Sequence, residues 1–437
     1  MKKRIIRVFL CLVLVTLFTG CEGGLFDPEY AIKAPANGLY QGLYDAVKEA
    51  VGKEIILKYP SVQGVNTAYH LWDMDGDGVE EAVVFYQPRS KGGTTRVNVL
   101  KQINDEWQSV QDLESVGSDV IHADFCDLNG DGANELCLGW RVATTTTNIM
   151  GVYQVDNGLL VQRAVEEYSQ YAICDINADG IGDLGLALLS AEKQTSSLRF
   201  YTLKNQVFTL LGALALDNNV HSYAGITVGN ITEKKVGVYL DVYKGTNSMI
   251  TELVYFQDNK LYNPFAGGDS NTNIATLRHC HLRCTDIDQN GSLEIPVMVH
   301  LPGYTGTIEE DQESSHYWVT WRNFNGSFGN PCAVWFYNAT RGYYLELASS
   351  LQDKLTVTID TQADCDVFYR WDGQTAGDRL FAIKPFAKET FVAESAGQYQ
   401  RLFESETTVW GVELYKPAQE FSITLDTLKE KFHLIVE

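Results

Sequence analysis

The sequence predicts a mainly β protein, a β-propeller of about five to seven four-stranded blades followed by a small α+β domain. Three observations support this prediction. The 437 residues include 23 Tyr, 19 Phe and 37 Gly but only 10 Pro, a composition that suits strands joined by tight turns. An acidic nine-residue motif recurs along the chain, and alternating apolar hairpins follow it.

Four copies of the acidic motif align without gaps, and we number them loops 1 to 4. Each has Asp at position 1, Asp or Asn at positions 3 and 5, Gly at position 6 and an acid at position 9. They occupy residues 73–81, 127–135, 175–183 and 286–294, so that they start 54, 48 and 111 residues apart. The last interval is about twice the others, which predicts a further copy. Residues 230–238 form a degenerate fifth copy there, between two strand-like runs.

The surroundings of the loops predict the blade. Loop 1 follows the apolar run 69–72 and precedes the apolar run 82–86, after which an alternating hairpin spans 97–107. A second hairpin, at 152–160, contains an Asn-Gly turn, which is a strong hairpin signal. One unit therefore runs strand, acidic loop, strand, strand, turn, strand. Repetition at about 50 residues is typical of propeller blades.

These acidic loops inside β units resemble FG-GAP or VCBS-type repeats, as in the propellers of integrin α-subunits. The resemblance covers roughly residues 51–339. It implies a β-propeller that binds calcium through its loops. Together with the N-terminal segment, the whole chain resembles bacterial lipoproteins that carry VCBS-like repeats.

Residues 1–20 have the layout of a signal peptide. Four basic residues form a positive start, an apolar run spans 8–15, and Leu-Phe-Thr-Gly precedes Cys21. That ending resembles a bacterial lipobox, which implies that Cys21 carries lipid and anchors the protein outside the cytoplasm, at the cell membrane. The alternative is an ordinary signal peptide or a signal anchor. No later stretch is long enough to span a membrane.

Two segments flank the predicted propeller, which is assigned to residues 51–340. Residues 21–50 are expected to form a tether and a short helix, Gly38–Val51, with an apolar stripe of Leu39, Leu43, Val47 and Val51. Residues 341–437 are expected to form the α+β domain, ending in a helix over 421–435. Its strand-like runs are 343–348, 355–359, 367–371, 380–383 and 409–415.

The loops suit calcium, which takes six to eight oxygen ligands in a flexible geometry. Acids at alternate positions can turn their oxygens toward one centre, and Gly at position 6 permits the turn that brings in the carbonyl of position 7. Position 12 is apolar in every loop, which excludes an EF-hand, because that motif needs Glu there. We expect about four structural calcium ions, and the alternative is solvated acidic turns without metal.

The expected ligands come from positions 1, 3, 5, 7 and 9, with position 7 acting through its carbonyl. They are Asp73, Asp75, Asp77, Val79 and Glu81 in loop 1, Asp127, Asn129, Asp131, Ala133 and Glu135 in loop 2, Asp175, Asn177, Asp179, Ile181 and Asp183 in loop 3, and Asp286, Asp288, Asn290, Ser292 and Glu294 in loop 4. The degenerate copy is expected to bind no calcium, because Lys234 and Val238 stand at its positions 5 and 9.

Two cysteine-containing segments are weaker candidates. Residues 278–284 hold two His and two Cys, but their spacing does not match a zinc motif, and an ordinary strand is expected instead. Cys126 and Cys137 flank loop 2, where they could form a disulfide or remain two buried thiols.

The net charge and the composition argue for some classes of function and against others. The 34 basic and 56 acidic residues give a net charge of −22, which argues against nucleic-acid binding. No catalytic residue is assigned, and propeller loops suit a glycan or protein partner, so a binding protein at the cell surface is predicted. One alternative is an enzyme acting on extracellular polysaccharide, which needs two convergent carboxylates in one cleft. Another is a structural module of a surface assembly, which needs a large exposed apolar patch.

Overall fold

The computed structural model describes residues 38–52, 54–61, 67–89, 94–190, 193–232, 235–268, 271–309, 314–395 and 397–435. The signal segment, Cys21 and Lys234 lie outside these ranges. The fold of the described residues is mainly β, with six antiparallel sheets of four or five strands. Among the described residues, no helix is both long and apolar enough to cross a membrane.

The chain divides into two compact units, the first made of residues up to 127 and 131–166, and the second of residues 128–130 and 167 onward. Two sheets belong to the first unit. Their strands are β1 (Ile55–Leu57), β2 (Tyr69–Trp72), β3 (Glu81–Pro88), β4 (Arg96–Ile103) and β5 (Glu106–Glu114), then β6 (Asp119–Cys126), β7 (Glu135–Arg141), β8 (Asn148–Asp156) and β9 (Leu159–Tyr168). These two sheets share one apolar core, in which Phe85 meets Trp140 edge to face.

Four sheets belong to the second unit. The third holds β10 (Gln170–Cys174), β11 (Asp183–Ser190), β12 (Thr195–Lys204) and β13 (Val207–Ala215), and the fourth holds β14 (Ser222–Thr232), β15 (Lys235–Tyr243), β16 (Met249–Gln257) and β17 (Lys260–Tyr262). The fifth holds β18 (Ile295–His300), β19 (Tyr317–Arg322), β20 (Ala333–Asn338) and β21 (Tyr343–Leu347), and the sixth holds β22 (Leu355–Asp360), β23 (Cys365–Trp371), β24 (Ala376–Ala387), β25 (Gln400–Glu404) and β26 (Thr408–Leu414). Consecutive sheets share apolar cores within this unit.

The helix α1 (Gly38–Val51) has the bounds that the sequence predicts. In its apolar stripe, Leu43 and Val47 have no exposed surface and pack in one core with the first sheet, and Val51 is half-buried. The helix ends where Gly52 takes a left-handed φ of 65°, a conformation that glycine adopts without strain.

The predicted order of strand, acidic loop and strand is confirmed. Loop 1 joins β2 to β3, loop 2 joins β6 to β7 and loop 3 joins β10 to β11. In each, the residue just before position 1 pairs with position 9. The pairs are Trp72 with Glu81, Cys126 with Glu135, and Cys174 with Asp183. In loop 4 an isolated bridge joins Thr285 to Glu294 in the same way. The antiparallel pairing therefore places the acid of position 9 at the base of every loop.

The C-terminal hundred residues complete two sheets. All five predicted strands form, but β21 pairs with β20, so the expected boundary after residue 340 falls inside the fifth sheet. The remaining strands build the sixth sheet. Short helices lie between the strands of the fifth and sixth sheets, namely α2 (Phe391–Glu394), α3 (Leu425–Lys431) and the 3-10 turns Ser314–His316, Ser349–Leu351 and Lys416–Phe421.

The predicted helix over 421–435 is too long at both ends. Thr424 caps α3 by accepting a hydrogen bond from the Thr427 N–H, so the helix cannot begin earlier. After Lys431 the chain becomes strand β27 (Phe432–Leu434), which pairs with β21. Phe432 fits the spacing of apolar residues in a helix and also that in a strand. The segment becomes a strand because it pairs with the open edge of β21.

Candidate metal centre

The four acidic loops share one pattern of hydrogen bonds. In each, a carboxylate oxygen of position 1 accepts the N–H of the glycine at position 6, at 3.1, 2.9, 2.8 and 2.8 Å in loops 1 to 4. The side chain of position 5 accepts the N–H of position 7, at 2.7, 2.8, 2.9 and 2.8 Å. These bonds fold each loop tightly, so that its polar side chains are gathered over a short distance.

The backbone explains why position 6 is glycine in every loop. Gly78, Gly132, Gly180 and Gly291 have φ values of 87°, 89°, 88° and 88°, which a side chain disfavours. Position 4 is also left-handed, but Ala178 and Gln289 occupy it in loops 3 and 4 at a φ of 59°. That value lies in the region that other residues tolerate, so position 4 varies in sequence while position 6 does not.

The acid at position 9 is buried in all four loops. Glu81, Glu135, Asp183 and Glu294 are 3%, 1%, 0% and 1% exposed. In loops 1, 3 and 4 one of its oxygens accepts the N–H of position 2, at 2.8, 3.1 and 3.1 Å. The apolar side chains of Met74 and Ile176 at that position are buried as well, which fixes the loop to the sheet beneath it.

The second carboxylate oxygen at position 9 is unsatisfied in two loops. Asp183 Oδ1 and Glu294 Oε1 are buried without a hydrogen-bond partner among the described residues. Burial raises the pKa of Asp183 to about 7, and the nearby Asp179 and Asp175 add to the rise. Burial also raises the pKa of Glu294, with Asp288 and Asp286 adding to it. A buried carboxylate oxygen without a partner is costly, and a bound cation would satisfy it. The residues of loops 3 and 4 therefore fit calcium.

In loop 1 a side chain of the protein supplies the positive charge beside the buried carboxylate of position 9. The Lys101 ammonium on β4 lies 2.6 Å from Asp75 and 3.3 Å from Glu81, and its hydrogen bond lowers the pKa of Asp75. The residue opposite position 9 is uncharged in the other three loops. Extending the antiparallel registers by one residue places Gln154, Thr202 and Asn323 there in loops 2, 3 and 4. Lys101 is not among the residues that the sequence predicts for loop 1, although a basic residue on the strand opposite position 9 could have indicated it.

The structure brings only some expected ligands close together. Ligand atoms of Asp73, Asp75 and Glu81 lie within 4.8 Å of one another, and so do those of Asp288, Glu294 and the unexpected Cys332. Partial desolvation raises the pKa of the Cys332 thiol to about 11, and Glu294 and Asp288 add to the rise. In loop 3 the Asn177 amide instead donates to Asp179 at 2.9 Å.

The degenerate fifth copy is a continuous hairpin. Asn230 pairs with Val236 and Val228 with Val238 across β14 and β15, so its positions 1 and 9 lie within paired strands. Val238 is fully buried in an apolar core, where the other copies place an acid.

The segment 278–284 is not the ordinary strand that was expected. Only Arg278 is bridged, to Met249, and the residues after it have no regular structure. Both ring nitrogens of His279 are engaged, Nδ1 with Ser248 at 2.8 Å and Nε2 with the Ile308 carbonyl at 2.6 Å. His279 is therefore held by hydrogen bonds and is not poised to bind zinc. Cys126 and Cys137 do not form a disulfide with each other.

Comparison with known proteins adds little. No protein-family model matches the sequence, and no curated protein matches it. A rhamnogalacturonan lyase of Bacillus licheniformis aligns at 12% identity with a TM-score of 0.36, covering 75% of this chain and 59% of the lyase. A periplasmic gluconolactonase of Pseudomonas aeruginosa aligns at 10% identity with a TM-score of 0.27, covering 69% of this chain and 82% of that one. This chain spans less than two thirds of the lyase, and likenesses this weak carry no argument.

Proposed function

We propose that this chain is a calcium-binding β-propeller protein that is exported, anchored to the cell membrane by lipid on Cys21, and used to bind a partner. The observation that carries the cation assignment is the pair of buried oxygens of Asp183 and Glu294 that have no partner among the described residues. They stand at the same position of two repeated loops, so a cation bound in each loop accounts for both.

The propeller assignment is supported by the order of the sheets. Among the described residues, six antiparallel sheets follow one another along the chain, and neighbouring sheets within each unit share apolar cores. Each sheet would then be one blade. Sheets of four strands that repeat in this way and leave only short edges are characteristic of propellers.

The calcium ions would be structural. Each loop offers side-chain oxygens at positions 1, 3 and 5, a carbonyl at position 7 and the buried acid at position 9, which together supply the oxygen-rich shell that calcium requires. The ion would neutralise acids that otherwise repel one another at the junction between two strands. Loop 1 would bind calcium most weakly, because the ion must compete with the Lys101 ammonium.

Equivalent sites repeated in the first, second, third and fifth sheets argue for stability and not for a catalytic centre, which would be singular. We therefore propose recognition of a glycan or protein partner as the activity, since propellers present blade loops on one face.

The proposal is tested on a chain that begins at Glu22, measured for calcium per chain and for the melting temperature with calcium and with chelator. We expect three to four ions and a marked fall of the melting temperature on chelation, because each site filled at a hundredfold its Kd adds about 2.7 kcal/mol. Asp183→Asn should lose one ion. Asp258→Asn, which changes an exposed turn outside the loops, is the matched control. A chain that binds no calcium and melts identically in chelator would exclude the metal assignment.

A further inference from the structure

One candidate ligand beside loop 4 is a thiol, whereas the expected ligands of the other loops are all oxygens. Cys332 precedes β20, and its sulfur lies within 4.8 Å of ligand atoms of Asp288 and Glu294. The residue is held in place, because its N–H donates to the Trp321 carbonyl at 3.0 Å and its sulfur lies 3.3 Å from the same oxygen. Cys332 is exposed, so an ion can reach this group from solvent.

A second observation points to a bound cation at the same place. Glu294 is 1% exposed, yet its Oε1 has no hydrogen-bond partner within the described part of the chain. Its other oxygen accepts the Ile287 N–H at 3.1 Å, which fixes the carboxylate. The Glu294 carboxylate is thus held in one orientation beside the Asp288 carboxylate and the Cys332 thiol. One of its oxygens is hydrogen-bonded, and the other has no partner among the described residues.

The chemistry of this ligand set differs from that of an all-oxygen loop. Calcium prefers hard oxygen ligands, whereas a thiolate selects softer ions such as zinc. Zinc binds cysteine sulfur and carboxylate oxygen, and its structural sites are almost always tetrahedral. Ligands of such an ion lie about 3.5 Å apart. Because the present separations are within 4.8 Å, they would have to contract by at most about 1.3 Å, which side-chain rotation can supply.

We propose that loop 4 is a mixed carboxylate and thiolate site that takes zinc in preference to calcium. Asp288, Glu294 and Cys332 would be its three protein ligands, and water would fill the fourth position. Zinc would displace the thiol proton to solvent as the zinc–sulfur bond forms. The inference rests on the proposed function only in taking loop 4 to be a cation site.

The test uses cobalt as a spectroscopic probe of the zinc site, because a cobalt–thiolate bond gives a charge-transfer absorption that oxygen ligands do not. Reduced wild-type protein should show this absorption, Cys332→Ser should lack it, and zinc should abolish it by competition. Cys174→Ser is the matched control, since Cys174 directly precedes loop 3 but belongs to no such group among the described residues. Cys332→Ser should also weaken zinc binding at least about tenfold, with calcium binding changed by less than about twofold.

The outcomes separate the two proposals. Absorption that is absent from wild type, or that survives Cys332→Ser while vanishing in Cys174→Ser, overturns the zinc site. If calcium is bound but no cobalt–thiolate band appears, only the zinc assignment fails. If the band appears and no loop binds calcium, the proposed calcium function fails and loop 4 stands as a zinc site. Glu294→Gln, which keeps the thiol, should weaken the band as well, and an unchanged band would remove Glu294 from the site.

Discussion

The Lys101 ammonium nitrogen lies 2.6 Å from Oδ2 of Asp75, so loop 1 contains a cation supplied by the protein itself. Its side chain is only about a quarter exposed, and it also reaches Glu81. The loops are therefore alike in backbone but unlike in charge. Loop 1 is the loop in which an ammonium takes the place where loops 3 and 4 leave an oxygen without a partner.

Replacing this lysine should strengthen calcium binding. We expect Lys101→Gln, which introduces the residue found opposite position 9 in loop 2, to raise the calcium affinity of loop 1 by at least about tenfold. The reason is that a unit charge about 4 Å away contributes about 4 kcal/mol at an effective dielectric of 20. Isothermal titration with calcium measures the change. Lys260→Gln, at an exposed strand residue, should leave the isotherm as in wild type, and an isotherm unaltered by Lys101→Gln contradicts the assignment.

The glycine of position 6 should be required for its backbone angle alone. A Cβ at Gly180 would meet no atom within 4 Å, so Gly180→Ala tests the φ of 88° without a steric clash. We expect it to lower the free energy of unfolding by about 1–2 kcal/mol, measured by chemical denaturation. Ala178→Gly, at position 4 of the same loop, should change that free energy by less than about 1 kcal/mol. Equal effects of the two variants would be evidence against the difference between the positions.

The buried acid of loop 3 should make the stability of the metal-free protein depend on pH. Because the folded-state pKa of Asp183 is raised to about 7, the folded protein holds this proton more tightly than the unfolded chain does. In chelator, stability should then fall as the pH rises from about 4 to about 7, by roughly 2–4 kcal/mol. Denaturation curves across that range should show a shallower slope for Asp183→Asn. Identical slopes for the two proteins would contradict the burial argument.

The last strand should be needed for the stability of the second unit. Phe432 is 3% exposed and stacks on Tyr343 with ring centroids 5.0 Å apart. We expect Phe432→Ala to cost about 3–5 kcal/mol of the free energy of unfolding, as burial of a phenylalanine predicts. Phe403→Ala should cost less, because Phe403 is 37% exposed. The comparison is made by urea denaturation, and a mild Phe432→Ala would mean that β27 is not anchored by its side chain.

The repeated unit was predictable because its signals are local. The glycine of position 6 and the alternation of the hairpins each depend on a few consecutive residues, and the first helix has the expected bounds. The end of the chain was predicted less well. Phe432 satisfies both helical and strand spacing, and the choice depends on β21, which lies almost ninety residues earlier.

By itself, the sequence determined the loops, their acids and the order of strands around them, because side-chain type and backbone preference are written residue by residue. Only the tertiary structure decided which loop contains an ammonium, which has a thiol beside it and which leaves an oxygen without a partner. Lys101 reaches loop 1 from another strand of the same sheet, 26 residues from Asp75, and Cys332 reaches loop 4 from the position just before β20, 38 residues from Glu294. The contact of Lys101 depends on antiparallel register, and a one-residue shift of that register would turn its side chain to the opposite face of the sheet.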